Sequence, residues 1–410
     1  MCTLPIKNGI PLRLVVGDIY IILNLIVWYN NISTILRNVI NESFFIFSEK
    51  LILYFVLFLS CIFSILIGAS LTTISNDRKQ ILLVWSLIGV FSSLAIIVLE
   101  IAATFLNVLL LSLLAGISFG LGLPTCMAIL ADVTTAEKRA RFGSIAILLT
   151  FLGMFFLRPI MTTNLFWNAF VLAVWRSSVI ISVLVIGAYL KNMKHRKNPA
   201  MSSILRDRSM LLYLVPWGVF SMVNYLGWPI NSKIHGENFV SFSVLVSNVI
   251  AGVSTVIAGF VADKIGRKRT LLAGFILYGI GYAVLGINPF NVYTWYLYTL
   301  IDGVAWGIFF VVFVFTIWGD LACENASEKY YAIGILPYSL SGFLRVILGP
   351  LIADIVSEYA VFSFAAFFLF LAVVPLMFAP ETLPERVIRE RELKSYIEKA
   401  KRVREKFTKG

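Results

Sequence analysis

Long apolar stretches broken by short polar gaps run the whole length of the chain. A helix needs about 20 apolar residues to cross the hydrocarbon of a bilayer. Such stretches fall at 12–32, 51–74, 80–101, 104–131, 142–162, 176–191, 210–230, 240–262, 270–288, 292–319, 331–356 and 359–379, which predicts twelve spans. The sixth is the shortest. Trp167 and Asn168 with Trp175 and Arg176 are expected to mark an interface between two helices within 142–191, rather than one long span.

The gaps carry an orientation. NDRK (76–79), AEKRAR (136–141), KNMKHRK (191–197) with RDR (206–208), DKIGRKR (263–269) and the tail after Glu381 are basic. The alternate gaps, with Glu100, TTNLFWN (162–168), NPFNVY (288–293) and SEY (357–359), hold few Lys or Arg. Loops rich in Lys and Arg stay cytoplasmic, so both termini are expected inside the cell, in a plasma membrane whose lipid is the chain's first partner. Arg37 and Lys50, in the outer gap 33–50, run against the rule. The N-terminal stretch lacks a small-residue cleavage pattern and reads as a retained tail. The C-terminal stretch 381–410 alternates acid and base as a solvated or membrane-surface helix does.

Composition agrees with this class. The 410 residues are 59% hydrophobic and 14% charged, against roughly 45–50% and about 25% in soluble domains. The net charge of +12 sits in the gaps, where topology accounts for it, so no nucleic-acid partner is expected. The four cysteines have neither metal nor redox spacing, and the two histidines fall in predicted loops. No metal and no cofactor are expected. No G-x-x-x-x-G-K-[ST] occurs, which argues against direct ATP coupling. Neither paired carboxylates, nor a His cluster, nor a nucleophile–base set shares a depth, so an enzyme is not expected.

The two halves echo each other at an offset of about 190 residues, the mark of an internal repeat. Glu137-Lys138 recurs as Glu328-Lys329, Pro159 falls on Pro350, Ala131-Asp132 on Gly319-Asp320, and RKQILL (78–83) on RKRTLL (267–272). The expected fold is an all-α integral membrane protein with twelve transmembrane helices in two six-helix bundles. The expected division is 1–191 for the first bundle, 192–209 for a central loop, 210–380 for the second bundle and 381–410 for the tail.

GFVADKIGRKRTLL (259–272) closely resembles the loop signature G-x-x-x-D-x-x-G-R-[KR] of the major facilitator superfamily, through Gly259, Asp263, Gly266, Arg267 and Lys268. The resemblance implies a cytoplasmic latch between bundles. Asp263 would cap a neighbouring helix, and Arg267 and Lys268 would meet Asp320 and Glu324. Asp132, Arg139 and Arg141 belong to the same expected set. In the first-half copy, Ile74 replaces the Asp and Asp77 the second Gly. GISFGLGLPTCMAILAD (116–132), EKRARFG (137–143), Trp175-Arg176 and PETLPE (380–385) resemble further stretches of the family, notably in its sugar and metabolite symporter branches.

Charges within the spans cost about 2.5–3.5 kcal/mol each on insertion scales, so they mark candidate function. Asp302 lies about ten residues into the tenth span and is the candidate proton carrier; it could instead bridge to Arg345. Arg345 and Arg158 fall in equivalent helices and could hold a carboxylate or phosphate group. Asn24 occupies a place where related symporters often carry an acid. Asn224, Tyr225 and Trp228 precede Pro229, a predicted break lining the solute pathway. The resulting expectation is a monomeric secondary transporter moving a small organic metabolite, carboxylate or sugar by alternating access, with proton-coupled symport. The alternatives are a transporter-fold receptor without flux, or a multidrug efflux antiporter; the fifth span lacks the Gly-Pro-Gly-rich motif usual in the latter.

Overall fold

The structure, a computed structural model, describes residues 12–75, 77–191, 197–323 and 325–384 with scattered positions of the tail. The side chains at 191, 345–351, 353 and 354 lie outside that description. Among the described residues the chain is helical, with one isolated bridge between Lys197 and Asn325.

The spans are Leu12–Glu42, Phe47–Ser75, Arg78–Ile101, Phe105–Val133, Arg139–Ile160 and Leu165–Leu190 in the first half. In the second half an apolar segment, Arg208–Ile265, is followed by Arg267–Ile287, Val292–Ala322, Ser327–Ile355 and Glu358–Phe378. Gly236 interrupts the 208–265 segment with φ +82°, a conformation glycine adopts without steric cost. Divided there into the seventh and eighth spans, the described residues give twelve.

Two boundaries differ from the sequence expectation. The first span runs ten residues beyond 32, through NISTILRNVINE. Its polar side chains fold back on the helix, as Asn31 donates to the Val27 carbonyl and Thr34 to that of Asn30. Ile32, Ile35, Leu36 and Ile40 keep one apolar face buried. The sixth span begins at Leu165, eleven residues before the expected 176. Asn168 does not end a helix; its side chain closes the preceding turn by bonding Thr162 through both its amide nitrogen and its oxygen. Trp175 and Arg176 therefore sit in mid-span, not at an interface.

Helix starts are set by local chemistry. Asp77, Thr104, Asp207 and Asn291 accept a backbone N–H at the first turn of their helices, satisfying donors that have no partner within the helix. Within the first bundle the second span packs on the fourth and the third on the sixth; in the second bundle the eighth packs on the tenth and the ninth on the twelfth. Between bundles, the fifth span lies on the eighth and the second on the eleventh. Small residues let that seam close: a Cβ on Gly259 would stand 2.6 Å from Ser144 Oγ and 2.8 Å from the Ala140 carbonyl oxygen.

Candidate functional site

At the face where the basic gaps gather, one ion-pair lattice joins the two bundles. Asp263, fully buried, accepts backbone N–H groups of Ala140 at 3.3 Å and Arg141 at 3.1 Å. It thus sits on the positive end of the fifth helix, where a carboxylate is favoured by the helix dipole. Arg141 Nε lies 3.4 Å and Arg267 Nη2 2.9 Å from it. Arg267, also fully buried, pairs through Nε with Asp320 at 3.1 Å and donates to the carbonyls of Ala262 and Ala136. Asp320 in turn holds Arg139 of the first bundle and accepts from Thr382 at 3.1 Å. Arg139 ties back to the Ala131 carbonyl at 2.6 Å.

A second clasp joins the expected Asp132 to residues that sequence reasoning missed. Arg78 lies 2.8 Å from Asp132 in its own bundle and 2.7 Å from Glu328 in the other, and Ser327 adds a bond to Asp132 at 3.4 Å. The first-half loop lost its Asp to Ile74, yet its arginine still spans the seam. The echo of RKQILL with RKRTLL carried that signal, since it sets Arg78 on Arg267.

Lys268 departs from expectation. It faces neither Asp320 nor the other bundle, but donates from Nζ to the Met377 carbonyl at 2.6 Å. Adjacent side chains on a helix point about 100° apart, so those of Arg267 and Lys268 turn to different partners. Glu381 takes the helix end instead, accepting N–H groups of Arg267 at 2.8 Å and Lys268 at 3.1 Å. Gly266, at φ +110°, makes the turn and leaves room for Glu381. Glu324 lies outside the described residues.

At mid-depth the second bundle holds a polar cluster around Asp302. Ser247 donates to Oδ2, and Tyr278 and Tyr298 donate to Oδ1 at 3.0 Å and 3.4 Å. The cluster reaches the seventh span, which breaks at Asn224–Leu226 as Pro229 predicts. Proline has no N–H and crowds the carbonyl four residues back, and within the break the carbonyls of Val223 and Asn224 each accept from Tyr282 at 3.3 Å. Asn224 itself donates to Ser341 at 3.2 Å. Tyr225 is buried in the break and Trp228 half-buried just beyond it. The tyrosines were missed, although Tyr298 stands one turn before Asp302, on the same helix face. Below Asp302 the tenth span continues through a π-helical stretch, Phe310–Thr316, before reaching Asp320.

Two candidates are placed apart from this cluster. Arg158 is exposed in the turn Arg158–Ile160 that closes the fifth span, not in a cavity. Asn24 is fully buried between the first and sixth spans, bonded to the Trp175 carbonyl at 2.6 Å and to Ser178 at 3.3 Å, away from Asp302. The side chain of Arg345 is not described. Within a first-half span the buried arginine is instead Arg176, in mid-helix, with its guanidinium 3.8 Å from the Trp85 ring and 5.4 Å from that of Trp28.

Two helical bundles clamped at one face, with polar and aromatic side chains between apolar spans, make the architecture of a multi-pass membrane protein. Residues 209–407 match the model of the Major Facilitator Superfamily. Over 90% of this chain and 95% of that one, the fold is similar to the proton:xylose symporter XylE, with a TM-score of 0.64 and 15% identity. The Escherichia coli fucose:proton symporter FucP matches over 90% of this chain and 98% of its own, at TM-score 0.67 and 11% identity. A bacterial homologue of the iron transporter ferroportin, in an outward-facing state, matches over 90% and 99%, at TM-score 0.70 and 13% identity. No curated protein sequence matches the chain. The family match thus falls in the second half of the chain, while the likeness of fold runs along its whole length.

Proposed function

We propose that this protein is a secondary active transporter of a small organic solute, working as a monomer by alternating access in the plasma membrane, with the charged face and both termini cytoplasmic. The observation that carries the reading is the lattice of Asp263, Arg267, Asp320, Arg139 and Arg141, with Arg78, Asp132 and Glu328, which joins the two bundles. Ion pairs that cross a seam are the contacts a rocking motion breaks and remakes. In this reading Gly259 and Gly266 allow the close approach and the turn that the latch needs.

Asp302 is the acid on the solute pathway, with Asn224, Tyr225 and Trp228 around the broken seventh span. It carries the coupling proton, in symport if the solute loads with the proton and in exchange if the solute displaces it. The sugar:proton symporters among the structural neighbours support proton coupling; the ferroportin homologue on the same fold leaves the solute to be read from the site. The test is purified protein in liposomes with a pH-sensitive dye inside, challenged with pools of carboxylates, sugars and amines. A solute-dependent pH change abolished by Asp302→Asn is expected. Solute binding without flux in any pool would favour a receptor instead.

A further inference from the structure

We propose that the solute is an organic cation with an apolar body, its ammonium held by Asp302 and its body by an aromatic strip along the bundle seam. The inference rests on the transporter reading above and specifies its substrate class.

The strip is laid out by helical spacing. Asp302, Trp306 and Phe310 follow one another at i, i+4 and i+8, so they descend one face of the tenth span. All three remain partly accessible. The Trp306 and Phe310 rings are 4.8 Å apart, and each is 6.1 Å from Tyr338 of the eleventh span, which is itself 40% exposed. Across the seam, Phe151 of the other bundle stands 6.2 Å from Phe310. Phe310 therefore reaches the seam between bundles, and Trp306, whose ring also packs on Phe220 of its own bundle at 4.8 Å, lies one turn above it.

The charge balance points the same way. The bonds to Asp302 come from the hydroxyls of Ser247, Tyr278 and Tyr298 and from the Trp306 indole, neutral donors that solvate a carboxylate and supply no positive charge. No Lys, Arg or His among the described side chains is bonded to it. Arg158 is exposed at the far turn, and Arg176 lies against Trp85 in the first bundle. An accessible carboxylate in an apolar bilayer, ringed by aromatic faces and lacking a described counter-charge, is the chemistry that recognises an amine. The carboxylate pairs the charge, and each ring face within about 6 Å adds cation–π attraction. A carboxylate that holds the amine is closed to the proton, so the two alternate and the coupling is exchange.

The test uses three probes of one shape: 2-phenylethylamine, 2-phenylethanol and 3-phenylpropanoate, titrated calorimetrically into the purified full-length protein near neutral pH. The amine is expected to bind at least about tenfold more tightly than the alcohol, a gap of about 1.4 kcal/mol, with the acid weakest. Asp302→Asn should bring the amine to the level of the alcohol, and Trp306→Leu should weaken the amine more than the alcohol. If Asp302→Asn does not elute as a folded species, the Trp306→Leu comparison decides. Preference for 3-phenylpropanoate would place a cation such as Arg345 in the pocket and overturn the proposal. So would an amine preference that survives Asp302→Asn, or no amine binding at all. Liposome flux separates the two readings: amine binding without amine-driven proton movement keeps the site and sinks transport, whereas sugar-driven flux without amine binding does the reverse.

Discussion

Replacing Asp320 by asparagine should open the charged face. Its carboxylate joins Arg139 of one bundle to Arg267 of the other and also accepts from Thr382. The side chain is fully buried, and Arg139 and Arg267 are nearly or fully so. Asparagine keeps the shape and one acceptor but removes the charge, so Arg139 loses its carboxylate and Arg267 keeps only Asp263. Breaking one member of a buried pair costs about 3–5 kcal/mol. That cost falls on the closed state alone, because in the open state the groups reach water. At about 1.4 kcal/mol per decade, even 3 kcal/mol shifts the closed-to-open ratio by about a hundredfold, enough to take a closed state populated about 99 parts in 100 down to near half. Spin labels at Lys138 and Lys264, both exposed at the charged face, would report the change by pulsed EPR in a background without the four native cysteines. The wild type should give one short distance, and Asp320→Asn a second, longer population of comparable weight. Asp77→Asn is the control, since Asp77 caps only its own helix at Gln80. A distance distribution identical in Asp320→Asn and wild type would refute the latch.

Three further outcomes are expected. Arg78→Gln and Glu328→Gln, alone and together, should show a coupling of about 0.5–3 kcal/mol in thermal unfolding, whereas strict additivity would mean that the first-half clasp contributes nothing across the seam. Gly259→Val should wedge the eighth span off the fifth at Ser144 and Ala140 and lengthen the same spin-label distance, at a packing cost of about 1–3 kcal/mol; an unmoved distance would show that the seam yields without opening. Arg176→Met should leave the melting temperature unchanged or raised, because the guanidinium meets indole faces and the neutral Asn24 oxygen at 3.4 Å rather than a carboxylate. A fall of several degrees would reveal an anionic partner.

What the sequence disclosed follows from the range over which each signal acts. Span count and charge asymmetry are sums over many residues, so they survive local exceptions such as Arg37. The loop motif around Asp263 is legible because its spacing is fixed by one helix end and one turn, and the structure sets Asp263 on the fifth helix and Arg267 on Asp320. The sixth span was misread because a buried Arg looks like a boundary to any rule that counts polarity along one chain. Arg176 is tolerated through Trp28 and Trp85, which come from two other helices and are remote in sequence. Asp302 has the same character in reverse. It stood out at once as a charge in a span, but its partners Ser247 and Tyr278 come from the eighth and ninth spans, and only tertiary packing assembles them. Charges that a single helix cannot explain are therefore where sequence reasoning should place its attention and withhold its assignments. Each such residue marks a meeting of helices, and its neighbours decide whether it is a pillar, as Arg176 is, or a site, as is proposed for Asp302.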